Sequence, residues 1–273
     1  MAHVPQEVIA AHVCPLLWLR DLVATCSACR GLRSRLPRLA GGCLEQYGVA
    51  GGRRPLQLLK RLFAQLRDTS YTIDRVHAFF GDFVTIDTAG RCRNSHGVVT
   101  TVFRGYQDSC VSDSGDIIVA SFSGTYSLLR QGLVGPPAVA VAPCRRPSAV
   151  SAVGFDRVMR NIDLRDMRDE AVVVVHRFHN VVALDGGELT VVQTCERQCM
   201  ALQTGVILRV HHAILWIIGP IKRHFVVVTA AGVSYAYDRQ CRLVKTTHRI
   251  RTSGTRRPLV VGNFVDGIHF DLL

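Results

Sequence analysis

Cys26 and Cys29 stand as Cys26-x-x-Cys29, the spacing of half a zinc site or of a redox pair. No second CxxC stands at a matching distance. On a helix the i, i+3 spacing also puts both thiols on one face, so they are read as core cysteines. Cys195-x-x-x-Cys199, with His211 and His212 downstream, offers a second possible zinc set. It lies in strand-like sequence, where successive side chains alternate faces and four ligands would not all point inward. His176-Arg177-Phe178-His179 follows the apolar run Val172–Val175 and reads as a turn. Asp163, Asp166, Asp169 and Glu170 interleave with Arg160, Arg165 and Arg168, the pattern of a solvated, salt-bridged loop or short helix. Nucleophile-elbow, P-loop and dinucleotide fingerprints are absent. The sequence therefore predicts neither an enzyme with its own active site nor a metal or cofactor.

The clearest charge feature is Arg239 to Arg257. It holds Arg239, Arg242, Lys245, Arg249, Arg251, Arg256 and Arg257, together with His248 and no acid. These residues are the candidate substrate-binding set. They fit an acidic protein segment, a phosphorylated segment, a nucleic-acid backbone or a solvated rim. The segment has no aromatic residue, which argues against stacking on single-stranded bases. The whole chain of 273 residues carries a net charge of +12.

The elements that would position such groups fall into two kinds. The N-terminal stretch Val4–Leu39 is helical in pattern. Pro5 suits a first helical position and Glu7 the first turn, where a carboxylate complements the helix dipole. Ile9, Val13 and Leu16 or Leu17 form an apolar stripe, and Pro15 bends or ends the helix. Asp21 opens a second helix with Leu22, Cys26 and Cys29 on one face. Leu32 and Leu36 belong to a third, behind a crowd of arginines. So small a unit needs a partner or an attached domain to bury its apolar surface. Ala40 to Gly52, rich in glycine, reads as a linker around a short turn. Pro55 then opens an amphipathic connector helix through Leu56, Leu59, Leu62, Phe63 and Leu66.

These N-terminal residues resemble an F-box. Val4-Pro5-Gln6-Glu7-Val8-Ile9 is similar to its opening motif, Leu19-Arg20-Asp21-Leu22 to its central one, and Cys26-Ser27-Ala28-Cys29-Arg30-Gly31-Leu32-Arg33 to its closing one. Leu32 stands where the family often has Trp. The resemblance implies docking on a Skp-type adaptor, which joins the chain to a cullin–RING ubiquitin ligase. The implied adaptor contacts are Val4, Pro5, Glu7, Ile9, Val13, Leu16, Leu19, Leu22, Cys29 and Leu32. Of the 33 basic residues only Lys60, Lys222 and Lys245 are lysines. Codon bias in a GC-rich genome explains this, as does a ligase subunit that avoids modifying itself.

From Tyr71 the period changes to two. Apolar strands lead into glycine turns and alternating residues around Gly90, Gly124, Gly187, Gly232 and Gly267, with a weaker copy near Gly154. Repeated hairpins at such intervals mean a stacked or toroidal β array. A propeller is the natural closure, since radial repetition protects strand edges. The pattern is similar to WD-type or RCC-type blades, without the Gly-His and Trp-Asp signatures of the former. A sandwich or irregular barrel is the alternative.

The expected organisation is α+β and multidomain: an F-box-like domain over 1–40, a linker and connector helix over 41–70, and a β-repeat domain over 71–273. The expected function is the substrate-recognition subunit of a cullin–RING ubiquitin ligase, with the target held on the β domain. The rival is a β-propeller scaffold or basic nucleic-acid-binding protein with a helical cap. The N-terminus lacks a basic lead-in, no apolar run reaches bilayer length, and ten cysteines follow no framework. The chain is therefore expected inside the cell, in cytoplasm or nucleus and away from membranes, and the F-box resemblance implies a eukaryotic cell, or the host cell if the chain is viral.

Overall fold

The computed structural model describes residues 34, 36–46, 54–144, 146, 148–177, 180–184, 187–221, 224–248, 260–261, 264–265 and 268–269. Two helices come first, α1 (Leu36–Gln46) and α2 (Pro55–Arg67). The body is a five-blade β-propeller. Blade 1 is β1 (Ile73–Phe79), β2 (Asp82–Asp87), β3 (Arg91–Asn94) and β4 (Val99–Val102). Blade 2 is β5 (Tyr106–Val111), β6 (Ile117–Ser121), β7 (Gly124–Ser127) and β8 (Gly132–Gly135). Blade 3 is β9 (Ala138–Pro143), β10 (Ala149–Gly154), β11 (Val158–Asp163) and β12 (Arg168–Val174). Blade 4 is β13 (Val181–Leu184), β14 (Leu189–Cys195), β15 (Gln198–Ala201) and β16 (Ile207–Arg209). Blade 5 is β17 (Ile214–Ile221), β18 (His224–Thr229), β19 (Val233–Asp238) and β20 (Leu243–His248).

Each blade is an antiparallel meander in chain order. The first strands pack on one another from blade to blade, β5 on β9, β9 on β13 and β13 on β17. They therefore line the axis, and the fourth strands lie outside. The second strands explain the apolar runs seen in the sequence, because they are buried on both faces. In β6, Ile117 and Val119 pack towards blade 1 with Val84 and Ile86, while Ile118 and Ala120 pack towards blade 3 with Val141 and Val150. Val139, Ala140 and Met159 then meet Val181 and Val192, and Val191 and Leu184 meet Ile217 and Phe225. Burying each such side chain contributes roughly 1.5–3 kcal/mol, which is why a core split among blades still holds.

The glycine register of the sequence slips once. Gly90, Gly124 and Gly232 sit where a second strand turns into a third, but Gly187 lies between β13 and β14, a first and a second strand. In blade 4 both of those strands are apolar and buried, so their hairpin imitates the next one. The blades are also fully four-stranded, although their spacing looks short for that, because the strands are brief and the turns tight. At Gly90, φ is +78 and a Cβ would stand 2.1 Å from the Phe103 carbonyl oxygen, so only glycine fits.

The first part of the expected glycine linker, through Gln46, is helical instead. α1 runs through Gly41 and Gly42 to Gln46 because Ala40 and Leu44 are buried against Leu58, Leu59, Leu62 and Phe63 of α2. That burial outweighs the roughly 1 kcal/mol each glycine costs in a helix. α2 in turn is fixed to blade 1. Phe83 joins its apolar face, Thr85 Oγ1 donates to Gln65 Oε1 at 2.6 Å, and Gln65 Nε2 donates to the Asn94 carbonyl at 2.8 Å. β2 thus turns Val84 and Ile86 to blade 2, and Phe83 and Thr85 to the helices.

The C-terminal strands β21 (Val260–Val261), β22 (Phe264–Val265) and β23 (Ile268–His269) extend the blade 1 sheet beyond β1. β21 runs parallel to β1, with Val260 opposite Arg75. β23, the last strand, is therefore the far edge of this addition, and β21 makes the join.

A polar clasp crosses the first strands. Arg75 Nη2 donates to Asp108 Oδ1 at 2.9 Å, and Asp108 Oδ2 accepts from the Val141 amide at 3.3 Å, linking blades 1, 2 and 3. Asn180 repeats the device between blades 4 and 5, accepting from the Ile217 amide at 3.0 Å and donating to the Leu215 carbonyl at 3.0 Å.

Candidate interaction face

In an antiparallel meander, the turns between second and third strands share one rim with the connections between blades. Two hydrogen bonds show the two kinds of loop locked together. The Phe122 amide donates to the Gly105 carbonyl at 3.1 Å, and the Ile214 amide to the Glu196 carbonyl at 2.7 Å. On this rim Phe122 leaves the β6–β7 turn and Phe155 the β10–β11 turn. They are 60% and 38% exposed, yet their rings meet at a tilt of 30° with centroids 4.9 Å apart. The two positions are equivalent in successive blades, so the repeat itself sets the pair side by side. Phe122 rests on Gly105, where φ is +69 and a Cβ would come within 2.4 Å of its ring. Exposed Arg104, Arg157, Arg177 and Arg197 share the rim, against Asp156 and Glu196. Asp156 is itself ion-paired with Arg160, which holds its carboxyl down to about 2.

Beside the pair a cleft of about 480 Å³ opens between β4 and blade 2. Thr100, Val102, Phe103 and Arg104 form one wall, and Tyr126 and Leu128 the other. It is half apolar, has no acid in its lining, and suits an extended chain better than a compact ligand. On the opposite rim Phe80 tips the β1–β2 hairpin with φ +48, followed by Gly81 at +76, and is 72% exposed. A Phe in a left-handed turn position is strained, and it overlooks a smaller cleft lined by Arg54, Arg61 and Asp82.

A buried Ser–His contact lies by the axis. His77 Nε2 is 2.8 Å from Ser109 Oγ, and Tyr106 donates its hydroxyl to Asp74 Oδ2 at 2.6 Å. Burial, and then the charge of Arg75, push the His77 pKa down to about 3. The imidazole is thus neutral and a weak base, and the contact joins blades 1 and 2 alongside Arg75–Asp108.

The residues singled out in the sequence are dispersed. The adaptor contacts expected at Val4, Pro5, Glu7, Ile9, Val13, Leu16, Leu19, Leu22, Cys29 and Leu32 lie outside the described residues, as do Cys26, Arg249, Arg251, Arg256 and Arg257. Arg239 and Arg242 flank the β19–β20 turn, and Lys245 is exposed on β20. Arg242 is not free of acid: its Nε donates to Asp238 Oδ2 at 2.8 Å, a partner just outside the basic run. Cys199 is buried, which pushes its thiol up to about 12, whereas Cys195 is exposed. Among the described residues no three His, Cys, Asp or Glu side chains gather as a metal site. Of the acidic and basic residues from Arg160 to Glu170, Arg160 on β11 pairs with Asp169 on β12 at 3.4 Å, across two strands and not within a loop or helix, and Glu170 on β12 pairs with Arg146 of the β9–β10 connection at 3.1 Å.

Sequence reasoning missed Phe80, Phe122 and Phe155. The signal was an aromatic inside turn sequence, Ser121-Phe122-Ser123-Gly124 and Gly154-Phe155-Asp156-Arg157, where polar residues are the rule. Among the described residues no helix is long and apolar enough to cross a membrane. No protein-family model and no curated protein sequence matches this chain.

Proposed function

We propose that this chain is the substrate receptor of a cullin–RING ubiquitin ligase, a propeller scaffold that holds a target protein beside a docked Skp-type adaptor. The body supports the scaffold half of this reading. Phe122 and Phe155, exposed and placed by turns, meet ring to ring beside a cleft whose lining has no acid. Large apolar groups held in water by rigid turns are the anchors of protein contacts. The observation that carries it is the Phe122–Phe155 pair, 4.9 Å between centroids and open to solvent.

The ligase half rests on the F-box resemblance of residues 4–33. The packing of α1 and α2 on blade 1 supports it as well, since α1, the helix that follows those residues in sequence, is tied to a rigid body. Such a receptor catalyses nothing itself; it raises the effective concentration of target lysines at the ligase. The basic segment from Arg239 to Arg257 remains the second candidate for target contact in this reading.

The experiment is affinity purification of the full chain from eukaryotic cells with mass spectrometry. Skp-type adaptor and cullin should co-purify, and the pair Ile9→Asp with Leu22→Asp should remove both, since a carboxylate forced into an apolar contact costs several kcal/mol. Recovery of the same adaptor with the double variant, or none with the wild type, removes the ligase reading and leaves the scaffold.

A further inference from the structure

We propose that β4, the outer strand of blade 1, receives an extended acidic protein segment as a fifth strand, whose apolar side chains enter the cleft between β4 and blade 2. This deepens the scaffold reading and names its ligand class. It begins from how the five outer edges are protected. An exposed strand edge offers unpaired N–H and C=O groups and invites another strand, so proteins blunt edges with charge, proline or brevity. β12 carries Arg168, Asp169 and Glu170, β16 ends in Arg209, and β20 holds Lys245. β8 is Gly-Leu-Val-Gly and leads straight into Pro136. β4 is Val-Thr-Thr-Val, short and irregular at Thr100, but exposed at every residue and with neither charge nor proline.

The backbone of β4 is arranged to receive such a strand. Phe103 donates its amide to the Gly90 carbonyl at 2.8 Å, and Val102 lies opposite Arg91 in the ladder with β3. Alternation along the strand then aims the Val102 amide away from β3, towards solvent. Val102 is itself 54% exposed. The cleft of about 480 Å³ runs along this same strand, walled by Phe103, Tyr126 and Leu128. A segment paired to β4 would place every second side chain in it.

Charge selects the occupant. Arg104 stands at one end of the cleft. Arg130 adjoins Gln131 at the other, and both arginines are exposed. Among the described residues neither forms an ion pair, whereas Arg91, on the neighbouring strand, is already held by Asp87 at 2.8 Å. The complementary segment is therefore extended, apolar at alternate positions, and carries an acid towards each end.

The test uses the full chain and a phage-displayed random peptide library. Selected peptides are synthesised and their affinities measured by fluorescence anisotropy. The expected peptides are enriched in Asp and Glu around alternating apolar residues. Val102→Pro, which removes an outward amide, and Arg104→Glu should each weaken binding by on the order of tenfold or more. Ile207→Ser, exposed on the outer strand of blade 4, should leave it unchanged. Hydrogen exchange by the wild type should show protection on binding in β4. Circular dichroism and the melting curve establish that each variant is folded. If Val102→Pro fails to fold, Val102→Glu, which repels an acidic strand, replaces it. If peptides bind but ignore the β4 variants, the β4 assignment is wrong and the scaffold reading stands. If no peptide is selected, both fall. If sedimentation shows a dimer that Val102→Pro dissociates, the edge pairs with a second copy and the peptide proposal is overturned.

Discussion

Replacing Asp108 tests how the blades are held. Its carboxylate takes the Arg75 guanidinium on one oxygen and the Val141 amide on the other, so one side chain ties three blades. Both members of the ion pair are buried, at 9% and 1% side-chain exposure. Burial works against the charge on Arg75, and the carboxylates of Asp74 and Asp108 outweigh it, so the guanidinium is held protonated. Asp108→Ala leaves that cation buried with its closest partner gone, which costs about 3–5 kcal/mol for a broken buried pair. The orphaned Val141 amide adds to this, by roughly 1–3 kcal/mol. Arg75→Met leaves a carboxylate in the same position and should cost a similar amount. The double variant Arg75→Met with Asp108→Leu buries no charge and should recover at least about 2 kcal/mol relative to the sum of the single changes. Urea unfolding at neutral pH measures all three against the wild type. Losses that add within about 0.5 kcal/mol would show that the pair does not act as a unit, and the clasp would be refuted.

Three further outcomes follow, two from single residues and one from a pair. His77 has a folded pKa pushed down to about 3 from an ordinary 6.5. Above the ordinary value both folded and unfolded states are neutral; below it only the unfolded chain takes the proton. Stability should therefore fall as pH drops, by about 2 kcal/mol at pH 5. His77→Gln should flatten the change between pH 7 and pH 5, read as the shift in urea midpoint. Phe80→Asn puts the preferred Asn-Gly pair in the β1–β2 turn and should raise stability by about 1 kcal/mol in thermal melts. A fall would mean that Phe80 serves the fold rather than a partner. Phe122→Ala with Phe155→Ala, changing exposed rings, should alter the urea midpoint by less than about 1 kcal/mol while reducing target capture; a severe loss of stability would make the pair a core element.

The body was legible where one force dominated. Second strands such as Ile117–Ser121 and His224–Thr229 are buried on both faces, so their apolar runs announce themselves. Outer strands such as Val99–Val102 are short and exposed, and four residues of Val and Thr do not distinguish an edge from a loop. The slip at Gly187 has the same origin, because two equally buried strands flank it. Helix α1 was hidden by Gly41 and Gly42, whose local preference is overridden by Leu44 meeting α2, a contact sequence spacing does not display. Phe122 and Phe155 were hidden differently: a phenylalanine reads as core unless its turn is recognised, and their ring contact depends on two blades lying side by side. The neutralisation of Arg242 by Asp238 was one residue outside the window in which its charge was weighed.

The account divides the work between an N-terminal docking segment and a capturing rim. Comparative affinity purification of three forms tests that division most directly: the wild type, Ile9→Asp with Leu22→Asp, and Phe122→Ala with Phe155→Ala. The account predicts that adaptor and cullin vanish only from the first double variant, and that the remaining bound proteins vanish only from the second. Retention of every bound protein by the Phe122 and Phe155 variant, in a folded chain, would contradict it.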